Sequence, residues 1–210
     1  MALAARLLTA AWIAVALAFA PAAHGQAQSV LTDRSAVDQS VDPTNPPPIV
    51  DPRVMSDKDR KAYAETLREA RTLVDQKHYD QAIAKLDPLI AQHPREPQAR
   101  FMKGLAQSDA GRTDAAIATF TALLADFPEL PEPRNNLAVL YAQKGEYAQA
   151  RDQLELALQA APDYAVAHEN LADVYARLAA THYARAAELD KRNKTAQAKL
   201  KVVRDVTEPH

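Results

Sequence analysis

Six histidines, His24, His78, His93, His168, His182 and His210, are the first residues to weigh for metal or proton-transfer chemistry. No two of them stand four residues apart on a helical face beside a glutamate, which is the zinc-protease spacing, and the chain has no cysteine to complete a metal site or serve as a thiol nucleophile. Glu129 and Glu132 are close enough to suggest paired acid–base work, but prolines flank them and a solvated turn accounts for them. Gly104, Gly111 and Gly145 are isolated, so no glycine-rich loop can cradle a phosphate, and Gly-x-Ser-x-Gly is absent. Lys+Arg 25 against Asp+Glu 27 gives a net charge of −2, with the basic residues scattered, which argues against phosphate-backbone binding. No catalytic residue, metal, cofactor or nucleic-acid partner is expected. What remains is recognition chemistry. Asn136 and Asn170 stand 34 residues apart, and a side-chain amide carries both a donor and an acceptor with which to bond a peptide backbone.

The elements that would position such groups begin after a delivery segment. Arg6 precedes an apolar stretch from Leu7 to Ala20, followed by small and turn-prone Pro21 to Gly25. That is the layout of a secretory signal peptide, expected over residues 1–25 with cleavage after Gly25 or Ala27. The apolar run is shorter than the roughly 20 residues a membrane span needs, so no stable membrane insertion is expected after cleavage; the other reading keeps the segment as an anchor. Removing Arg6 takes the charge to −3. Export without cysteines suits a bacterial periplasm, and a periplasmic or secreted location is the expectation. Residues 26–56 contain Pro43, Pro46, Pro47, Pro48 and Pro52, which disfavour helix and strand, and are expected to form a disordered Pro-rich linker.

From Asp57 onward the chain keeps a period. Pro94, Pro128 and Pro162 are 34 residues apart, as are Gly111 and Gly145, Ala82, Ala116 and Ala150, and Tyr141 and Tyr175. Within each period a helical stripe (Leu137, Ala138, Leu140, Tyr141) runs to a turn glycine. A second stripe (Tyr147, Ala150, Leu154, Ala157, Leu158) then ends at a proline. Small residues at Gly104, Ala138 and Ala172, opposite Ala116 and Ala150, would let paired helices approach closely.

These positions resemble the tetratricopeptide repeat. The third repeat, Pro131 to Tyr164, follows the motif throughout, and the second, Pro97 to Leu130, follows it with Gln107, Thr113 and Leu123 as departures. The first, Tyr63 to Glu96, carries Lys77 in place of the turn glycine and Pro88 inside its second helix, where a kink is expected. The fourth begins with Leu171, Ala172 and Tyr175 but lacks residues and a glycine for its turn. Either the turn is tight or Ala165 to Asp190 is one long helix. Ala196, Leu200 and Val203 then mark a capping helix within residues 194–210. The resemblance implies an all-α, right-handed superhelix of stacked antiparallel helix hairpins over residues 57–193, closed by that cap.

By family position, the concave groove would be faced by Leu67 and Arg71, then Phe101, Leu105 and Ser108. Asn135, Asn136, Val139 and Gln143 follow, and then Glu169, Asn170, Asp173 and Arg177. In peptide-binding members an Asn at the place of Asn136 and Asn170 holds the ligand backbone. The clamp of basic residues that some members use for acidic tails is absent, since Leu67 and Phe101 hold its positions. The groove is expected to be apolar at its N-terminal end and polar toward Glu169 and Asp173. The implied function is a non-catalytic protein-binding scaffold of the periplasm, taking a partner's peptide or helix. The alternatives are a self-assembling structural module and a holding chaperone for exported proteins.

Overall fold

A computed structural model describes residues 55–207. The expected signal peptide, the linker up to residue 54 and the last three residues of the tail lie outside the described residues. Among the described residues there are eight helices and no strand. They are α1 (Asp57–Asp75), α2 (Tyr79–Gln92), α3 (Pro97–Asp109), α4 (Thr113–Asp126), α5 (Pro131–Gln143), α6 (Tyr147–Ala160), α7 (Ala165–Leu189) and α8 (Lys194–Thr207). The 34-residue period is the spacing of helix starts: Pro97, Pro131 and Ala165 open first helices, and Tyr79, Thr113 and Tyr147 open second helices.

Local chemistry sets the helix ends. Ser56 caps α1, its hydroxyl accepting from the Asp59 amide at 3.1 Å, and Asp57 and Asp59 complement the positive end of the helix. Pro97 and Pro131 stand in the first turn, where a missing N–H breaks no helical bond. The three hairpin turns close alike: His78 N bonds Leu73 O, Arg112 N bonds Gln107 O and Glu146 N bonds Tyr141 O. Each needs a left-handed residue in between, supplied by Gly111 (φ 74), Gly145 (φ 78) and, unusually for a side-chain-bearing residue, Lys77 (φ 61). Turns this short send each helix back along its predecessor, and each packs chiefly on its sequence neighbours. Pro88 lies exposed within α2, which continues through it to Gln92.

The pairs meet through small residues. Ala70, Ala82, Ala116, Ala138 and Ala150 are all buried. Gly104 is closest of all, since a Cβ there would lie 2.4 Å from the ring of Phe120. Three clusters hold most of the buried core, with a smaller fourth around Val74, Ala82 and Ala106. One, around Tyr63, Leu86 and Leu89, lies between α1, α2 and α3. A second, around Phe120, Leu123, Leu137 and Leu140, lies between α3, α4 and α5. The third, around Leu154, Ala157, Ala167 and Val174, lies between α5, α6 and α7.

The fourth unit does not turn. Counting one period on from Gly145 reaches Ala179, and the residues around it, Ala176, Ala180, Ala184 and Ala186, are the strongest helix formers. With no glycine to reverse it, α7 runs unbroken for 25 residues. Of the two readings of this segment, the long helix is the one observed. A consequence is that Ala172, expected at a close helix contact, is exposed, as is Tyr175, because no second helix folds back over them. Instead α8 packs on α7, burying Ala196 and Thr207, with Leu200 and Val203 half-buried. Asn193 starts it, its side-chain oxygen accepting from the Ala196 amide at 2.9 Å.

Candidate partner-binding site

The residues expected to face a groove fall into two groups. Gln143 and Glu169 are exposed, and Leu67, Arg71, Ser108, Asp173 and Arg177 are half-buried. Phe101, Leu105, Asn135, Asn136, Val139 and Asn170 are buried. Phe101, 2% exposed, has its ring centroid 5.7 Å from that of Phe120, and with Leu105 it packs among Leu137 and Leu140 of α5. The apolar N-terminal stretch of groove expected from Leu67, Phe101 and Leu105 is therefore mostly interior.

The asparagines also divide differently from the sequence expectation. Asn136 Nδ2 donates to the Glu132 carbonyl one turn back on its own helix at 2.8 Å. Asn170 Nδ2 donates instead to Asn135 Oδ1 at 2.8 Å, linking the first helices of adjacent repeats. Asn170 Oδ1 is buried and accepts no hydrogen bond among the described residues.

Sequence reasoning missed two residues that its own period could have found. Asp75, Asp109 and Gln143 are the last residues of α1, α3 and α5, and Arg177 is the next member of the series at 34-residue spacing. This column runs from acidic through neutral to basic along the array. Burial, and then the Asp75 carboxylate, push the Asp109 carboxyl above its ordinary value. At the other end burial and Glu169 raise the Asp173 carboxyl, and Arg177 pulls it back. Arg177 itself donates to the Thr207 carbonyl of α8. Among the described residues no group of three His, Cys, Asp or Glu could hold a metal, and no helix is long and apolar enough to cross a membrane.

A tetratricopeptide repeat family model matches residues 67–131 and, in an overlapping register, 101–165. The array is a tetratricopeptide repeat (TPR) array. Solved TPR structures share its fold. The first TPR domain of the human RPAP3 protein superposes with a TM-score of 0.53 at 15% identity, covering 57% of this chain and 94% of that one. A TPR protein from Parabacteroides merdae gives 0.52 at 18%, covering 69% and 60%. A thermophilic TPR protein of Thermus thermophilus gives 0.50 at 21%, covering 70% and 83%. No curated protein sequence matches this chain significantly. The TPR fold is that of a protein–protein interaction scaffold, and TPR proteins are typically non-catalytic.

Proposed function

We propose that this chain is a non-catalytic adaptor of the bacterial periplasm, holding a peptide or helix of a protein partner along the first helices of its TPR array. The observation that carries this reading is the column Asp75, Asp109, Gln143 and Arg177. It offers an extended ligand a surface whose charge changes sign from one end to the other, so it selects both chemistry and direction: basic groups over α1 and α3, acidic groups toward α7. The raised Asp109 carboxyl supports the first half, because a Lys or Arg of the partner would relieve the repulsion from Asp75. Asn170 Oδ1 supports backbone capture, since a buried acceptor without a donor costs about 1–3 kcal/mol, which a local rearrangement onto a ligand N–H would recover. The export half of the proposal is supported by Arg6, the apolar run Leu7 to Ala20 and the absence of cysteine.

The test is a crosslinked pull-down from periplasmic extract with chain starting at Gln26, beside an Asp75→Lys, Gln143→Lys variant. Both positions are exposed, so circular dichroism should be unchanged. Partners held by the parent and lost from the variant support the adaptor reading. Identical partners on both would remove the column from it.

A second reading, self-assembly, is favoured by exposed Leu189, Val202 and Val206 near the C-terminal end. Sedimentation over a concentration series separates the two, because a monomeric adaptor keeps its mass.

A further inference from the structure

The face of α7 that packs onto the preceding hairpin does not end where the hairpin does. Ala167, Asn170 and Val174 are buried on it, and the same alternating three–four spacing continues through Arg177, Thr181, Ala184 and Glu188. These last four, with Arg185 beside them, line a cleft of about 430 Å³. Tyr147 at the start of α6 bounds it on one side, and Arg204 and Thr207 of α8 bound it on the other. The cause is the missing turn. Because α7 runs on past Ala179 to Leu189, its last turns carry a packing stripe roughly 15 Å beyond the point where a regular repeat would have reversed. Among the described residues no second helix of the fourth repeat folds back to cover it.

We propose that this cleft is a second binding site, meeting the first-helix column at Arg177 and extending away from it along α7 and α8, and that its occupant is an acidic helix of a protein partner. A stripe at three–four spacing is the surface onto which another helix packs. Thr181, Ala184 and the adjacent Ala180 are small, so a facing helix can come close. Charge specifies the rest. Three guanidinium groups, Arg177, Arg185 and Arg204, surround this floor, against the single carboxylate of Glu188, in a chain whose net charge is −2. Arg177 is already oriented by its bond to the Thr207 carbonyl. Among the described residues Arg185 is paired only with Glu188, at 3.1 Å and with both side chains about two-thirds exposed, and such a pair exchanges partners at little cost. Arg204 is exposed and has no ion pair among the described residues. Guanidinium forks match carboxylates with two parallel hydrogen bonds, so glutamates at four-residue spacing on the incoming helix answer arginines arranged along α7 and α8.

The probe is a fluorescein-labelled helical peptide of Ala with Glu at four-residue spacing, beside a matched peptide carrying Lys for Glu. Anisotropy titrations use the full chain from Gln26. The Glu peptide should bind the parent, weaken at high salt, and bind about tenfold or more weakly to an Arg185→Glu, Arg204→Glu variant whose circular dichroism is unchanged. The Lys peptide should bind at the acidic end of the column instead, so the Asp75→Lys, Gln143→Lys variant should lose it while the Arg185→Glu, Arg204→Glu variant keeps it. The Asp75→Lys, Gln143→Lys variant should bind the Glu peptide as the parent does, which keeps failure of this site distinct from failure of the column. Equal binding to the parent and the Arg185→Glu, Arg204→Glu variant, or no binding of the Glu peptide at all, overturns the proposal. So does sedimentation showing a dimer that this same variant dissolves, because the occupant would then be a second copy of the chain.

Discussion

Asn170 on α7 donates its side-chain amide to Asn135 on α5 at 2.8 Å, and the two residues are 4% and 1% exposed. Buried polar groups are costly chiefly when one partner is removed. Asn135→Ala would add an unmet Asn170 donor to an acceptor already without a bond, so it should destabilise the chain by about 1–3 kcal/mol. Replacing both residues by Ala removes the unmet groups together and should cost less than the sum of the two single changes. Urea midpoints of the two single variants and the double variant give the coupling directly. Additive losses would mean that the bond contributes nothing.

The close approach of Gly104 to Phe120 makes a second prediction. A Cβ at 104 would stand 2.4 Å from Cε1 and 2.7 Å from Cζ, and the ring is fully buried, with no room to swing aside. Ala in a helix interior normally gains about 1 kcal/mol over Gly. Here overpacking, about 1–3 kcal/mol and at its upper end for a contact this short, should outweigh that gain. Gly104→Ala should therefore lower the melting temperature, and Phe120→Leu in the same chain should return part of the loss by shortening the opposing side chain.

These two contacts show how far the sequence reaches. The spacing of Pro, Gly, Ala and Tyr locates helix starts, turns and small-residue crossings, because each depends on a residue type with one structural use. It leaves depth undetermined. Phe101 and Leu105 stand at groove positions by register, yet α5 packs over them, and that follows from how repeats stack. Asn135 and Asn136 differ by one residue, or about 100° around the helix, and only the placement of α7 decides which meets Asn170. The long α7 was open for a similar reason: alanines suit both helices of a repeat and do not mark where one ends. The cleft beneath its second half, which follows from that choice, was out of reach for the same reason.

Lys77 holds the left-handed turn position that Gly111 and Gly145 hold in the next two repeats. For a residue with a Cβ this conformation costs about 1–2 kcal/mol. Lys77→Gly should therefore stabilise the chain by about 1 kcal/mol, part of the gain being returned through the freer unfolded chain. At Gly111 and Gly145 an added Cβ meets nothing within 4 Å. Gly145→Ala should thus show the backbone cost alone, about 1 kcal/mol in the opposite direction. Denaturant midpoints of the pair would read a single conformational preference twice with opposite signs. A neutral Lys77→Gly would mean that the lysine side chain makes contacts worth as much as the strain.

The carboxyl of Asp109 links stability to pH. Its ordinary value is 3.8, and burial, followed by the Asp75 carboxylate, raises it in the folded chain. Folded protein then binds the proton more tightly than unfolded protein, so stability falls as pH rises between those two values. The favourable contribution is fully present below pH 3.8 and gone above the raised value. At neutral pH the charged group is held half-buried beside a like charge, at the negative end of α3. Asp109→Asn should therefore raise the unfolding free energy measured in urea near neutral pH by about 0.5 kcal/mol, the scale of a screened, partly exposed pair. The gain should vanish as pH falls to 3.8. Asp75→Asn should act in the same direction by a smaller amount, because its repulsion is the second cause and burial the first. A gain that persists undiminished at low pH would assign the effect to packing rather than charge. If a basic ligand occupies this end of the column, adding it should stabilise the parent at neutral pH and do little for Asp109→Asn.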